Sequence, residues 1–312
     1  MILLIQYCLI YASVLLLVAL GGCFSERSGI INIGLEGIMV IGALGGALVM
    51  RFVPISVGAF LMIALCVLAS MLFGLLYSML LGVAAIDFKA DQTLVGTAMN
   101  LLGTAAATVF VKAMNTAADQ NNVSSEISYV EARKAFLIVE GYEFNWFMVL
   151  TALFLLASYI LLYRTRFGLR LRACGEHPHA ADSVGVNVRK MRYWGVLISG
   201  ILGGFGGLVY ITAGVSLWKF ENGVAGFGFL ALAVMIFGEW KPGKIALAAL
   251  LFGLFRSLSN VYTGFDFLAS LHLPGTVYNM LPYVISLIVL AFTSGKSKAP
   301  KASGIPYDKG RR

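Results

Sequence analysis

The sequence predicts an all-α polytopic membrane protein of about eight to ten helices. Three observations carry that prediction. Of the 312 residues, 59% are hydrophobic and only 12% are charged, with a mean hydropathy of +0.87, whereas a soluble domain is typically about a quarter charged. Charge-poor apolar runs long enough to cross a bilayer core follow one another along almost the whole chain. The basic residues gather in two stretches instead of covering a surface. This composition excludes an ordinary soluble enzyme, a disordered chain and a disulfide scaffold. The four cysteines, Cys8, Cys23, Cys66 and Cys174, have no metal-ligand spacing. The net charge of +8 suits membrane-flanking loops and not a nucleic-acid interface.

In chain order the apolar runs are 3–22, 29–50, 53–86, 92–111, 144–163, 193–218, 222–238, 245–265 and 267–295. Glu36 interrupts the second and Arg256 the eighth. The run 53–86 reads as one long tilted helix or two short ones, and the short, Gly-rich 222–238 as a broken helix. Residues 1–295 therefore form one membrane domain, followed by a basic tail, 296–312. The segment 164–193 and the tail after 294 hold 13 of the 23 Lys and Arg residues, which places both in the cytoplasm. The stretch 112–143 has three basic and five acidic residues and is expected outside. The N-terminus is outside if 53–86 crosses once.

Two motifs resemble chemistry that their context does not support. Leu20-Gly21-Gly22-Cys23 looks like a lipoprotein cleavage site, but no basic residue precedes its apolar run. Gly238 to Lys244 has the spacing of a phosphate-binding loop. Ile245 stands where Ser or Thr should meet Mg²⁺, and Pro242 removes a backbone donor. It reads as a tight turn between helices.

Polar residues inside the spans mark candidate function. Asn32 and Glu36 stand four apart, on one face if the segment is helical, among Gly29, Gly34, Gly37, Gly42, Gly45 and Gly46. Close helix packing through small residues is one reading. An interrupted helix whose polar groups line a pathway or cap a half-helix is the other. Thr93, Thr97, Asn100 and Thr104 recur at helical spacing and are candidates to line a translocation pathway. Gly200, Gly203, Gly204, Gly206 and Gly207 read as packing glycines. The segment 222–243 is a faint echo of 29–50.

Within 164–193, the residues Gly175 to Gly185 read as a short helix, with Pro178 in its first turn and Gly185 as its stop. Ala180, Ala181 and Val184 give it a small apolar face, a knob fit to dock in a partner's groove. His177 and His179 read as surface residues, not as a metal site.

The stretches ERSGIINIGLEGIMVIGA (26–43), DQTLVGTAMNLL (91–102), LRLRACGEHPHAADSVGVNVRKMRYWGVLISGILGGFGG (169–207) and GVAGFGFLALAVMIFGEWKPG (223–243) resemble, in order, the signatures of permease subunits of bacterial ABC importers. The branch is the one serving branched-chain amino acids, simple sugars and nucleosides. The chain is most similar to the second permease of nucleoside-type importers, which work with a basic-membrane-protein-type lipoprotein. The resemblance implies a type II importer fold in the bacterial cytoplasmic membrane. It implies a second permease subunit in a heterodimer, cytoplasmic ATPase subunits that hold ATP and Mg²⁺, and an external substrate-binding lipoprotein. This chain would bind no cofactor or metal and would have no catalytic residue. The family's coupling helix maps onto Gly175, Glu176, Pro178, Ala180, Ala181, Asp182 and Gly185. The chain departs from the family at Asp91-Gln92, where Asn-Glu is common, and 112–143 matches no signature. The expected cargo is a nucleoside, with riboflavin or a simple sugar as alternatives. A stand-alone ion-coupled carrier or channel, with Glu36 as its cation site, is the reading from another class. An intramembrane enzyme lacks the necessary metal, Ser–His or paired-carboxylate constellation.

Overall fold

A computed structural model describes residues 2–139, 141–261, 264, 277–278, 280–285, 287 and 298–309. The helices are α1 (Ile2–Arg27), α2 (Leu35–Phe52), α3 (Ala59–Gly82, running on through one π turn to Asp87), α4 (Gln92–Ala118), α5 (Val130–Lys134), α6 (Trp146–Tyr163), α7 (Arg166–Glu176), α8 (Pro178–Ser183), α9 (Val188–Ile211), α10 (Phe227–Phe237) and α11 (Pro242–Val261). Seven of them, α1, α2, α3, α4, α6, α9 and α11, are long and apolar enough to span a membrane, and α10 is a shorter apolar helix. The expected span at 267–295 lies largely outside the described residues. The chain is an all-α polytopic membrane protein, as predicted.

Several boundaries differ from the sequence reading. The run 53–86 is a single helix, so alternation puts the first residue of α1 at the end opposite the basic turns. Helix α1 does not stop at 22 but continues through Glu26 and Arg27. Trp240 Nε1 donates to Glu26 Oε2 at 2.7 Å, and Arg27 donates to the Trp240 carbonyl, so both charged groups are hydrogen-bonded within the protein. The stretch 112–143 is not a bare loop. Helix α4 occupies it as far as Ala118, and β1 (Glu126–Ser128) pairs antiparallel with β2 (Leu217–Lys219), Ile127 opposite Trp218. Asn115 binds the carbonyls of Ser124 and Glu126 and accepts from Arg51. Arg133 pairs with Glu143. The 164–193 segment holds α7, α8 and the first turn of α9.

Helices α9, α2 and α1 are the most enclosed, while α3, α4 and α6 turn Leu68, Leu72, Leu94, Leu101, Leu153 and Leu156 outward. Those outward side chains are what a hydrocarbon solvent requires. With no water to expel between helices, association in lipid depends on close backbone approach, and here glycine provides it. A Cβ on Gly42 would stand 2.2 Å from Gly204 Cα, one on Gly74 2.3 Å from the Gly200 carbonyl, and one on Gly207 1.9 Å from the Met39 carbonyl. Helices α2, α3 and α9 therefore meet backbone to backbone, in line with the packing reading of both glycine clusters.

Gly42→Ala must push α2 away from α9, a cost of about 1–3 kcal/mol. Gly243→Ala, with open space around it, should change stability by less than about 0.5 kcal/mol. Unfolding of the detergent-solubilised protein distinguishes the two variants.

Candidate functional site

The polar residues singled out from the sequence gather at two levels, a break inside the bundle and a cluster of turns at its basic end. At the break, α1 ends at Arg27 and Gly29 takes a φ of 99°. Residues 28–34 leave helical geometry, and α2 begins at Leu35 with no side-chain cap from Gly34. Opposite, Ala225 and Gly226 adopt φ of 51° and 80°, and α10 begins at Phe227. Each helix start leaves N–H groups without an intrahelical partner and carries a partial positive charge. Glu36 answers both needs. Its Oε1 accepts from the Gly226 N–H and its Oε2 from the Gly228 N–H, each at 2.7 Å. It also lies in the first turn of α2, so one carboxylate faces two helix N-termini. Only glycine fits at 228, where a Cβ would stand 2.5 Å from the Glu36 nitrogen.

Neighbouring amides complete the junction. Asn100 of α4 accepts from the Gly37 N–H at 2.9 Å and donates to the Ile33 carbonyl at 3.0 Å. It thereby supplies the cap that Gly34 lacks. Asn32 is fully buried and donates to Ser199 Oγ of α9 at 2.9 Å. Gln92 Oε1 accepts from the Ile31 N–H at 2.7 Å, and Asp91 caps α4 through the Leu94 N–H. The departure at Asp91-Gln92 therefore has its own structural work.

The predicted pathway residues thus fall into two groups. Asn32, Glu36 and Asn100 hold the break together. Thr93 and Thr97 lie exposed on α4, and Thr104 is half-buried beside Gly223. The hydroxyls of Thr97 and Thr104 donate to the carbonyls of Thr93 and Asn100 one turn back. The expectation of one helical face shared by Asn32 and Glu36 is corrected, because Asn32 precedes α2. Sequence reasoning missed Ser199 and Gln92 as partners, since the group each one binds lies far away in the chain.

At the basic end, α8 forms as expected, with Pro178 at its first position and Gly185 at φ 84° just after it. The proposed coupling residues do not all face outward. A Cβ on Gly175 would stand 2.3 Å from the Arg27 carbonyl, and Ala181 packs against Cys174 and Val188. Glu176 faces Arg27 at 3.8 Å. Asp182 borders a cavity of 730 Å³ that Asp87, Lys89, Arg189 and Tyr307 also line. Ala180, Gly185 and, beside them, His177, His179, Ser183 and Val184 are exposed, so they form the accessible knob. Among the described residues no three His, Cys, Asp or Glu side chains gather as metal ligands.

The sequence tail is not loose where it is described. Residues 298–309 cross the basic end, with Ala302 donating to the Gly175 carbonyl at 2.8 Å and Gly304 to the Gly29 carbonyl at 3.2 Å. Lys298 and Lys244 pair with Glu239 at 2.7 and 2.9 Å and pull its carboxyl down to about 2.

Replacing Glu36 by Ala leaves two N–H groups at the start of α10 unmatched and should destabilise the protein by about 1–3 kcal/mol for each. Glu36→Gln retains an acceptor and should fall between Ala and wild type. Thermal unfolding of the three forms tests the order. The Glu239 pairing has a depressed folded-state pKa, so its contribution is present above the ordinary Glu pKa of about 4.3 and is lost as pH falls toward about 2. A nitroxide on Lys301→Cys should therefore stay immobile from neutral pH down to about that ordinary value and loosen below it.

Comparison with known proteins places these features in a family. Residues 4–292 match the family model described as branched-chain amino acid transport system / permease component. The chain is 41% identical to the guanosine ABC transporter permease protein NupQ of Bacillus subtilis, over 97% of this chain and 96% of that one. It is 39% identical to the nucleoside ABC transporter permease protein NupC of Lactococcus lactis, over 97% and 96%. It is 23% identical to a second Bacillus subtilis protein, the guanosine ABC transporter permease protein NupP, over 89% and 78%. No solved structure matches it. A multi-pass helical bundle matched over nearly its whole length makes this chain a member of the branched-chain amino acid transport system permease component family.

Proposed function

We propose that this chain is a membrane subunit of an ATP-driven importer and forms half of the translocation pathway for a nucleoside-like molecule by alternating access. The carrying observation is near full-length similarity to NupQ and NupC, whose names state guanosine and nucleoside transport. The accessible knob on α8, at the end where the basic turns gather, supports docking of cytoplasmic ATPase subunits that hold ATP and Mg²⁺. That one organism has both NupQ and NupP, each named a guanosine permease, supports pairing with a second, non-identical permease. A substrate-binding lipoprotein would deliver cargo at the opposite end, in a bacterial cytoplasmic membrane. Thr93 and Thr97, exposed on α4, and the half-buried Thr104 would meet that cargo between the two permeases. Asn32, Glu36 and Asn100 would hold the walls of the path. The chain itself would hydrolyse nothing and bind no cofactor.

The stand-alone carrier with Glu36 as a cation site is disfavoured by geometry, since both carboxylate oxygens already accept backbone N–H groups.

Uptake into proteoliposomes holding the whole complex should require ATP. Val184→Asp introduces a charge on the exposed knob and should cut uptake about tenfold, a loss of roughly 1.4 kcal/mol in docking. Uptake without ATP would defeat the reading. Binding of guanosine, riboflavin and simple sugars to the partner lipoprotein decides the cargo.

A further inference from the structure

The tail segment 298–309 reaches four of the turns at the basic end of the bundle. Lys298 pairs with Glu239 in the turn between α10 and α11. Ala302, itself buried, donates to the Gly175 carbonyl where α7 hands over to α8. Gly304 donates to the Gly29 carbonyl at the start of the break. Asp308 pairs with Lys89 in the turn between α3 and α4 at 3.0 Å. Tyr307 lies 5.2 Å, ring to ring, from His179 of α8.

Arg192, in the first turns of α9, lies beneath this segment and is 1% exposed. Its Nη1 donates to the Ile305 carbonyl at 3.0 Å, while its Nε and Nη2 have no hydrogen-bond partner among the described residues. A Cβ on Gly29 would stand 2.9 Å from Nη2. A guanidinium enclosed to this degree is costly unless it is held in place. The tail is what covers it. The tail, Arg192 and Gly29 thus form one junction, and α8 hangs from the same junction through Gly175. From Gly29 the break continues to Ile31, held by Gln92 of α4, then to Asn32, held by Ser199 of α9, and then to Glu36, which holds α10.

We infer that residues 298–309 and Arg192 are positioning elements for transport, a strap that makes α8 and the break between α1 and α2 move as one body. This rests on the ATP-driven reading above. Without the strap, a push on α8 would reach the break only through the contacts of Gly175 and Glu176 with Arg27, and less of it would be passed on. ATP would still be hydrolysed and less cargo would move.

The test uses the complete complex, with both permeases, ATPase subunits and lipoprotein, in proteoliposomes, and measures cargo moved per ATP hydrolysed. Truncation after Ser297 should leave ATP hydrolysis near the wild-type rate and lower that ratio about tenfold, the size of a typical coupling between sites. Ala302→Pro removes the N–H that meets Gly175 and stiffens the tail there, and should lower the ratio in the same direction. Lys89→Asp and Asp308→Lys should each lower the ratio, and the double variant should restore it, which a merely destabilised chain would not show. An unchanged ratio in the truncated complex overturns the inference. If truncation prevents assembly, the charge exchange decides, and a double variant no better than the singles overturns it. A wild-type complex that transports without ATP would instead bring down the importer reading.

Discussion

Inside hydrocarbon an unmatched backbone N–H costs several kcal/mol, so a helix that begins within the bundle needs an acceptor brought to it. Helix α10 has 11 residues, about 16 Å of rise, roughly half a bilayer core. Its N-terminus has no side-chain cap of its own. The Glu36 carboxylate supplies that acceptor from another helix, and its charge sits at the positive ends of α2 and α10 together. A short helix and the buried start of a longer one thereby become one joint.

The remainder of the bundle is organised around keeping that joint in place. Asn100 reaches across from α4 to the uncapped start of α2, and Asn32 ties the same break to α9. Each of these polar side chains is buried and pairs with a group more than 60 positions away in sequence. Glycine then brings α2, α3 and α9 close enough for those reaches to succeed. An added methyl at Gly42 or Gly207 would move a helix by more than a hydrogen bond tolerates.

For a transport subunit this division has a consequence. The edge of α4 that carries Thr93 and Thr97 is left exposed, while its buried edge carries the structural bonds through Asn100. Rigid elements that meet at polar joints can rock as units, whereas continuous straight helices would resist. The basic end shows the same economy of contacts, since α8 leaves Ala180 and Val184 exposed while Ala181 anchors it.

The sequence by itself determined the all-α membrane class, the order of the apolar runs, the short helix after Pro178 and the family. Those properties follow from local composition, because burial in hydrocarbon is decided residue by residue and charge sets which end faces the cytoplasm. It marked Glu36 and Asn100 as costly to bury. Only the tertiary structure decided what those residues bind, that Asn32 lies outside α2, and that the apparent loop at 112–143 pairs with 217–219. It alone laid the tail across the basic turns and enclosed Arg192. A hydrogen bond between groups distant in the chain leaves no periodicity behind, so its partner becomes legible only when the helices are brought together.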